Sequence, residues 1–148
     1  MKVLKFTVYS VLGLVVLGVA GLFILGMMSQ NGSAPGLVDG RLSPCPDSPN
    51  CVSSEVGTAP SKATEPLPLE AWEKLSDVIA TQGGTVTSET EDYISAEFKS
   101  AVFGFVDDVE FSRSNDVVHL RSASRVGYSD GGANATRVAG LRSAVGDE

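Results

Sequence analysis

Between Lys5 and Asp39 the chain carries no charge, and from Phe6 to Met28 its only polar side chains are Thr7, Tyr9 and Ser10. A helix over roughly 23 such residues rises about 34 Å, more than the hydrocarbon core of about 30 Å, so the run is long enough to cross a bilayer with some tilt. A cleaved signal peptide is the competing reading. Its apolar region is shorter, about 7–15 residues, and ends on small residues. Gly18-Val19-Ala20 offers such an end, but Leu22, Phe23, Ile24 and Leu25 follow it, and cleavage there leaves an apolar new terminus. Gly32-Ser33-Ala34 is the other candidate, with Pro35 after it. The sequence favours an uncleaved anchor over residues 1–28. Gly13, Gly18, Gly21 and Gly26 lack the four-residue spacing of a tight helix-dimer motif.

Lys2 and Lys5 both precede the run. Positive charge stays on the cytoplasmic side, so the body of the protein is expected outside the cytoplasm, in the periplasm if the source is bacterial. Without those lysines the remainder holds nine basic against eighteen acidic residues. Such a surface repels nucleic-acid phosphates and anionic headgroups, which argues against binding DNA, RNA or a charged lipid surface.

Both cysteines lie in "CPDSPNCVSS", at Cys45 and Cys51. In an oxidising compartment two cysteines in a short chain most simply pair. Free thiols are the alternative. A closed zinc site needs four ligands and only His119 adds a nitrogen; a redox pair normally has two intervening residues, not five.

Composition marks 29–41 as a flexible tether rich in Gly, Ser and Pro, which leaves 42–146 as one domain. Pro68 suits a helix start, Trp72, Leu75 and Ile79 recur at three- and four-residue steps, and Gly83-Gly84 stops the pattern. Strands are predicted over 85–89, 93–99, 105–113 and 117–125, with Ser114-Asn115-Asp116 as a hairpin turn. A last helix over about 134–145 turns Val138, Leu141 and Val145 inward, capped by Asn134. The expected fold class is α+β: an N-terminal transmembrane helix, then a small two-layer domain of one antiparallel four-strand sheet and two helices.

Candidate chemistry sits on the last two strands. In "FGFVDDVEF", Asp107 shares a face with Phe105, Val109 and Phe111, while Asp108 and Glu110 share the other with Val106. In "VVHLRSASR", Ser122 and Ser124 lie on one face, and Arg121, Ala123 and Arg125 on the other with His119. The hairpin register sets Asp108 and Glu110 against Arg121 and its neighbours, and a one-residue slip would change the partners. Two readings compete. One is a cross-strand salt-bridge ladder. The other is a ligand platform, with Arg121 and Arg125 as forks for a carboxylate or phosphate and room over Ala123. Asp107, an acid on an apolar face, needs either a loop or an arginine partner. Arg137 and the start of the last helix, after Asp130, add an anion site or a simple cap. No serine-hydrolase elbow, zinc-protease helix or phosphate loop occurs.

"CPDSPNCVSS", "FVDDVEF" and "VVHLRSASRVGYSDGGANATRV", in this order, resemble the uncharacterised family known as domain of unknown function 1499, over roughly Leu42 to Leu141. The resemblance implies a small envelope or membrane-associated domain with no assigned activity and no catalytic residue to carry over. It marks Cys45, Cys51, Asp107, Asp108, Arg121, Ser122, Ser124, Arg125, Asp130, Asn134 and Arg137 as signature positions. Relatives tend to read "DLGxNRxR" where this chain has "DGGANATR", so Gly131 stands for a leucine and Ala135 for an arginine. If that arginine helps to bind an anion, binding here is weakened.

The expectation is therefore a single-pass, outward-facing module that binds a partner or small anionic ligand, without cofactor or metal. The binding set is Asp107, Asp108, Glu110, Arg121, Ser122, Ser124, Arg125, Asp130, Asn134 and Arg137. The alternatives are an envelope hydrolase using Asp107 or Asp108, and a structural accessory subunit of a membrane complex.

Overall fold

A computed structural model describes residues 2–146; Met1, the first residue assigned to the anchor, lies outside them. Helix α1 runs Lys2–Ser29. Its stretch Lys5–Ser29 is long and apolar enough to cross a membrane, and the rest of the chain covers very little of it.

The remainder is an α+β domain. Strands β1 (Leu37–Val38) and β2 (Arg41–Leu42) form a small hairpin. The main sheet contains β3 (Cys51–Ser53), β4 (Leu67–Pro68), β5 (Thr85–Glu89), β6 (Tyr93–Lys99), β7 (Val106–Arg113) and β8 (Val117–Ser124). It therefore has six strands, not the expected four, in the order β3-β8-β7-β6-β5, with β4 pairing on β8. The four long strands match the sequence expectation closely. The two extra strands are two or three residues long, too short to show alternation. Both pair antiparallel with β8, β3 on Arg121–Ala123 and β4 on Val117–Val118, so they share the edge that a four-strand meander would leave open.

The helix expected from Pro68 is a 3-10 turn over Leu69–Lys74 followed by α2, Leu75–Thr81. The periodic apolar residues are buried as expected, with Leu75 and Ile79 fully covered. Helix α3 spans Ala133–Val145 and buries Val138, Leu141 and Val145. These side chains meet Ile94, Ala96 and Phe98 of β6, Val109 and Phe111 of β7, and Val118 and Leu120 of β8 in one core. Helices α2 and α3 thus cover one face of the sheet.

The opposite face is covered by the chain's own amino-terminal part. The segment 29–41, marked by composition as a tether, lies on the sheet. Gly36 donates its amide to Glu110 at 2.9 Å, and Leu42 is buried. The last two turns of α1 rest on the loop between β6 and β7: the Phe23 and Phe103 rings meet edge to face at 5.1 Å. The amide of Val106 donates to Ser29 Oγ at 3.0 Å, and that hydroxyl donates to the Gly26 carbonyl at 2.6 Å.

Candidate functional site

Register decides which charges meet. Glu110 stands opposite Arg121, Asp108 opposite Ala123, and Asp107 opposite Ser124. On the other side of β7, Asp108 stands opposite Glu97. The sheet therefore carries two polar clusters back to back, and the expected binding set is divided between them.

The first cluster lies on the face that meets α1 and the segment after it. Asp108 and Glu97 place like charges directly across from each other, a destabilising arrangement by itself. Arg125 resolves it. Its Nε and Nη2 grip both oxygens of Asp108, at 2.8 and 2.6 Å, and Nη2 also donates to Glu97. Its Nη1 donates to the carbonyl of Ser29 at 3.2 Å. The hydrogen bond to Asp108, with further help from Glu97, outweighs burial and holds the guanidinium pKa above its ordinary value.

Glu110 is completely buried, yet both its oxygens are satisfied. Oε1 accepts from Gly36 N at 2.9 Å and from the Tyr93 hydroxyl at 2.8 Å; Oε2 accepts from Arg121 Nη1 at 2.9 Å. Burial, then the neighbouring Glu110 carboxylate, pushes the Tyr93 hydroxyl well above the usual phenol range. Arg121 is only 8% exposed, and its Nε is buried with no hydrogen-bond partner among the described residues. A cleft of about 370 Å³ remains between this face and the segment from Met28 to Pro35, with Arg121, Ala123 and Arg125 on its sheet side.

The second cluster lies under α3. Arg137 donates to Asp107 at 2.7 Å and stacks over the Phe98 ring at 4.7 Å. Asp107 thus has the arginine partner that an acid on the core face requires. Arg137 also donates to Asn134 Oδ1 at 2.8 Å and to Ser122 Oγ at 3.2 Å, and Ser122 Oγ donates to Asn134 Oδ1 at 2.6 Å. The Asn134 amide donates to the Asn50 carbonyl at 3.1 Å, to Ser124 Oγ at 3.0 Å and to Asp130 at 2.9 Å.

Asn134 was expected to cap α3; it lies inside the helix, and Gly132 occupies the cap position without a side-chain bond. Asp130 takes over the capping. Its carboxylate accepts from the amides of Gly132 and Asn134, at 3.0 and 2.8 Å. Burial opposes the charge on Asp130, but the Asn134 and Gly132 donors outweigh it and hold the carboxyl below the usual range.

Cys45 and Cys51 form a disulfide. The bridge closes on Asn50, whose side chain donates to the Gly127 carbonyl and whose own carbonyl receives Asn134 and Ser124 N. The separated sequence motifs are thus one connected hydrogen-bond network. Sequence reasoning missed Glu97, Tyr93, Asn50 and Ser29. Asn50 was visible inside the cysteine motif, and Glu97 faces the same way as Tyr93 and Ser95 on its strand; their partners depended on register. Arg41 and Glu55 were missed too: they pair at 2.7 Å at the edge of the domain.

Chemically, both clusters favour holding over reacting. Asp107 and Asp108 are each gripped by an arginine, and Ser122 is bonded to Asn134 and Arg137. His119 Nδ1 meets Ser54 Oγ at 3.3 Å, but that hydroxyl also accepts the Leu120 amide at 2.8 Å, which ties it into the strand pairing.

These features define a class: a small α+β sheet domain behind an apolar helix, with buried ion-pair clusters on both faces of its sheet. The match to a family model over residues 41–145 makes the assignment specific, and the chain belongs to the family described as protein of unknown function (DUF1499). No curated protein and no solved structure matches the chain.

Proposed function

We propose that the protein is a single-pass, outward-facing membrane protein whose domain binds a small ligand bearing an anionic group, in the cleft beside Arg121. The observation that carries the reading is the Nε of Arg121: a buried donor without a partner among the described residues, on a guanidinium that bonds Glu110 through Nη1. An unsatisfied buried donor costs about 1–3 kcal/mol, which an acceptor recovers once the guanidinium turns toward the cleft that Arg121 lines. A carboxylate is the natural complement, because a guanidinium edge presents paired donors.

A retained anchor is supported by the packing of α1. Cleavage near Ala34 would remove Phe23 from Phe103 and Ser29 from both Arg125 and Val106. The outward orientation is supported by Lys2 and Lys5 before the span and by the disulfide after it.

The test is thermal melting of the full chain in phosphatidylcholine nanodiscs with acetate, succinate or inorganic phosphate. A saturable rise in Tm that Arg121→Gln abolishes supports the reading. No rise with any of the three overturns the anionic-ligand reading.

The accessory-subunit reading draws on a different observation: the chain itself occupies part of the charged face, through Ser29 and Gly36. Crosslinking in intact membranes, followed by capture, separates the two. A stoichiometric protein partner favours the accessory role. The hydrolase alternative gains no support from the geometry, since both of its acids are already gripped by arginines.

A further inference from the structure

The loop that joins β6 to β7, "SAVFGF" over 100–105, is apolar beyond Ser100, and Val102 at its tip is 69% exposed. Its main chain is closed on itself at the base. Ser100 N donates to Phe105 O at 2.8 Å, Gly104 N to Ser100 O at 3.1 Å, and Phe105 N to Ser100 Oγ at 2.9 Å. With its ends tied, the loop presents apolar side chains suited to a non-aqueous medium, at a boundary level where water and headgroups can still meet the main chain of 101–103.

Its position supplies the medium. The loop runs back along α1, from Ser29, which receives the Val106 amide, to Phe23, which meets the Phe103 ring. Phe23 lies six residues before Ser29, about 9 Å along a helix axis. At Gly26 the approach is so close that an added Cβ would overlap the Phe103 carbonyl. At the root of the loop Lys99 donates to Gln30 at 2.7 Å, which marks the polar level just beyond α1.

We infer that the 101–105 loop is a second membrane contact, inserting Val102 and Phe103 into the headgroup–acyl boundary of the bilayer that α1 crosses. The inference rests on the reading of α1 as a membrane span. Apolar elements at such boundaries are buried about 5–10 Å, which matches the depth set by Phe23. Lipid is the occupant because the loop continues the outward surface of α1, where Val19, Leu22 and Phe23 remain 43%, 40% and 45% exposed. The acidic charge of the domain disfavours anionic headgroups, and the contact needs none. Insertion on one side of α1 holds the sheet upright, with the β7–β8 turn at Asn115 at the far end of the strands.

The test places a polarity-sensitive nitrobenzoxadiazole label on single cysteines in the full chain, with the native disulfide kept oxidised. The variants are Val102→Cys, Leu14→Cys within α1 and Asn115→Cys, reconstituted in phosphatidylcholine vesicles with doxyl-labelled lipids. A Val102 label that is blue-shifted, and quenched several-fold more by a doxyl group near the headgroup than by one near the acyl end, supports the inference, with Asn115 unquenched. A quenched Leu14 label beside an unquenched Val102 label overturns the inference and leaves the span standing. If Leu14 is not quenched either, both fall. Equal quenching at Val102 and Asn115 also overturns the inference.

Discussion

Arg125 donates to the main-chain oxygen of Ser29, 96 residues earlier and the last residue of α1, while the same guanidinium grips Asp108. A cation at a helix C-terminus is favourable by about 0.3–1 kcal/mol. Here it also neutralises two facing acids, so one side chain fixes the apolar helix to the sheet. The charged face that the sequence offers either as a salt-bridge ladder or as a ligand platform is thereby a joint, with a cleft left beside it.

Arg125→Ala would leave Asp108 buried opposite Glu97 without a cation. Breaking a buried pair on one side costs about 3–5 kcal/mol, so the denaturation midpoint should fall steeply. Arg125→Lys should recover only part of it, because one ammonium reaches neither both acids nor the Ser29 carbonyl at once. A loss under about 1 kcal/mol for the alanine variant, as for an exposed pair, would contradict a buried joint.

Asp130 predicts a pH effect with a definite sign. Its folded pKa lies below the ordinary 3.8. Its contribution is therefore fully present above that value and fades as pH falls through the depressed folded value. Asp130→Ala should lower stability at neutral pH by about 0.5–2 kcal/mol, the range for a lost helix cap. The gap between the two melting curves should narrow in acid and stay constant above about pH 5. A gap that widens toward acid would contradict the assignment.

Replacing Cys45 and Cys51 together by serine should cost about 2–2.5 kcal/mol, the chain-entropy value for a loop of about seven residues. The effect should reach α3, because Asn50, beside Cys51, holds Asn134. Amide hydrogen exchange near Asn134 should quicken in the double variant, while the β6–β7 pairing stays protected. Equal loosening of both would mean that the bridge acts only on the unfolded chain.

Gly26→Ala should loosen the contact between α1 and the β6–β7 loop, since the new methyl group would overlap the Phe103 carbonyl. Gly13→Ala meets nothing within 4 Å and serves as the matched control. The readout is exchange of the Val106 amide, which Ser29 Oγ holds. Equal exchange in the two variants would show that the approach at Gly26 is unimportant.

Much of the fold was legible in the sequence. The four long strands alternate over five to eight residues, and the period-two pattern both places them and assigns their faces. The helical repeat of Trp72, Leu75 and Ile79 found the right buried residues. It could not separate a 3-10 turn from an α-helix, because one heptad of apolar spacing fits both. Strands β3 and β4 left no periodic signal. Residue type points to Asn134 as the cap, whereas Asp130, four residues earlier, reaches the free amides because Gly131 and Gly132 turn with positive φ.

Sequence alone determined the apolar helix, the strand-rich body behind it, the family and the identity of the charged residues, since each depends on local pattern and composition. Only the tertiary structure decided what those charges do. Register set Glu110 against Arg121, the packing of the end of α1 against the sheet supplied Ser29 to Arg125, and α3 brought Arg137 to Asp107. Ion pairs depend on which groups come within about 4 Å in a poorly solvated place, and that is fixed by contacts between residues far apart in the chain.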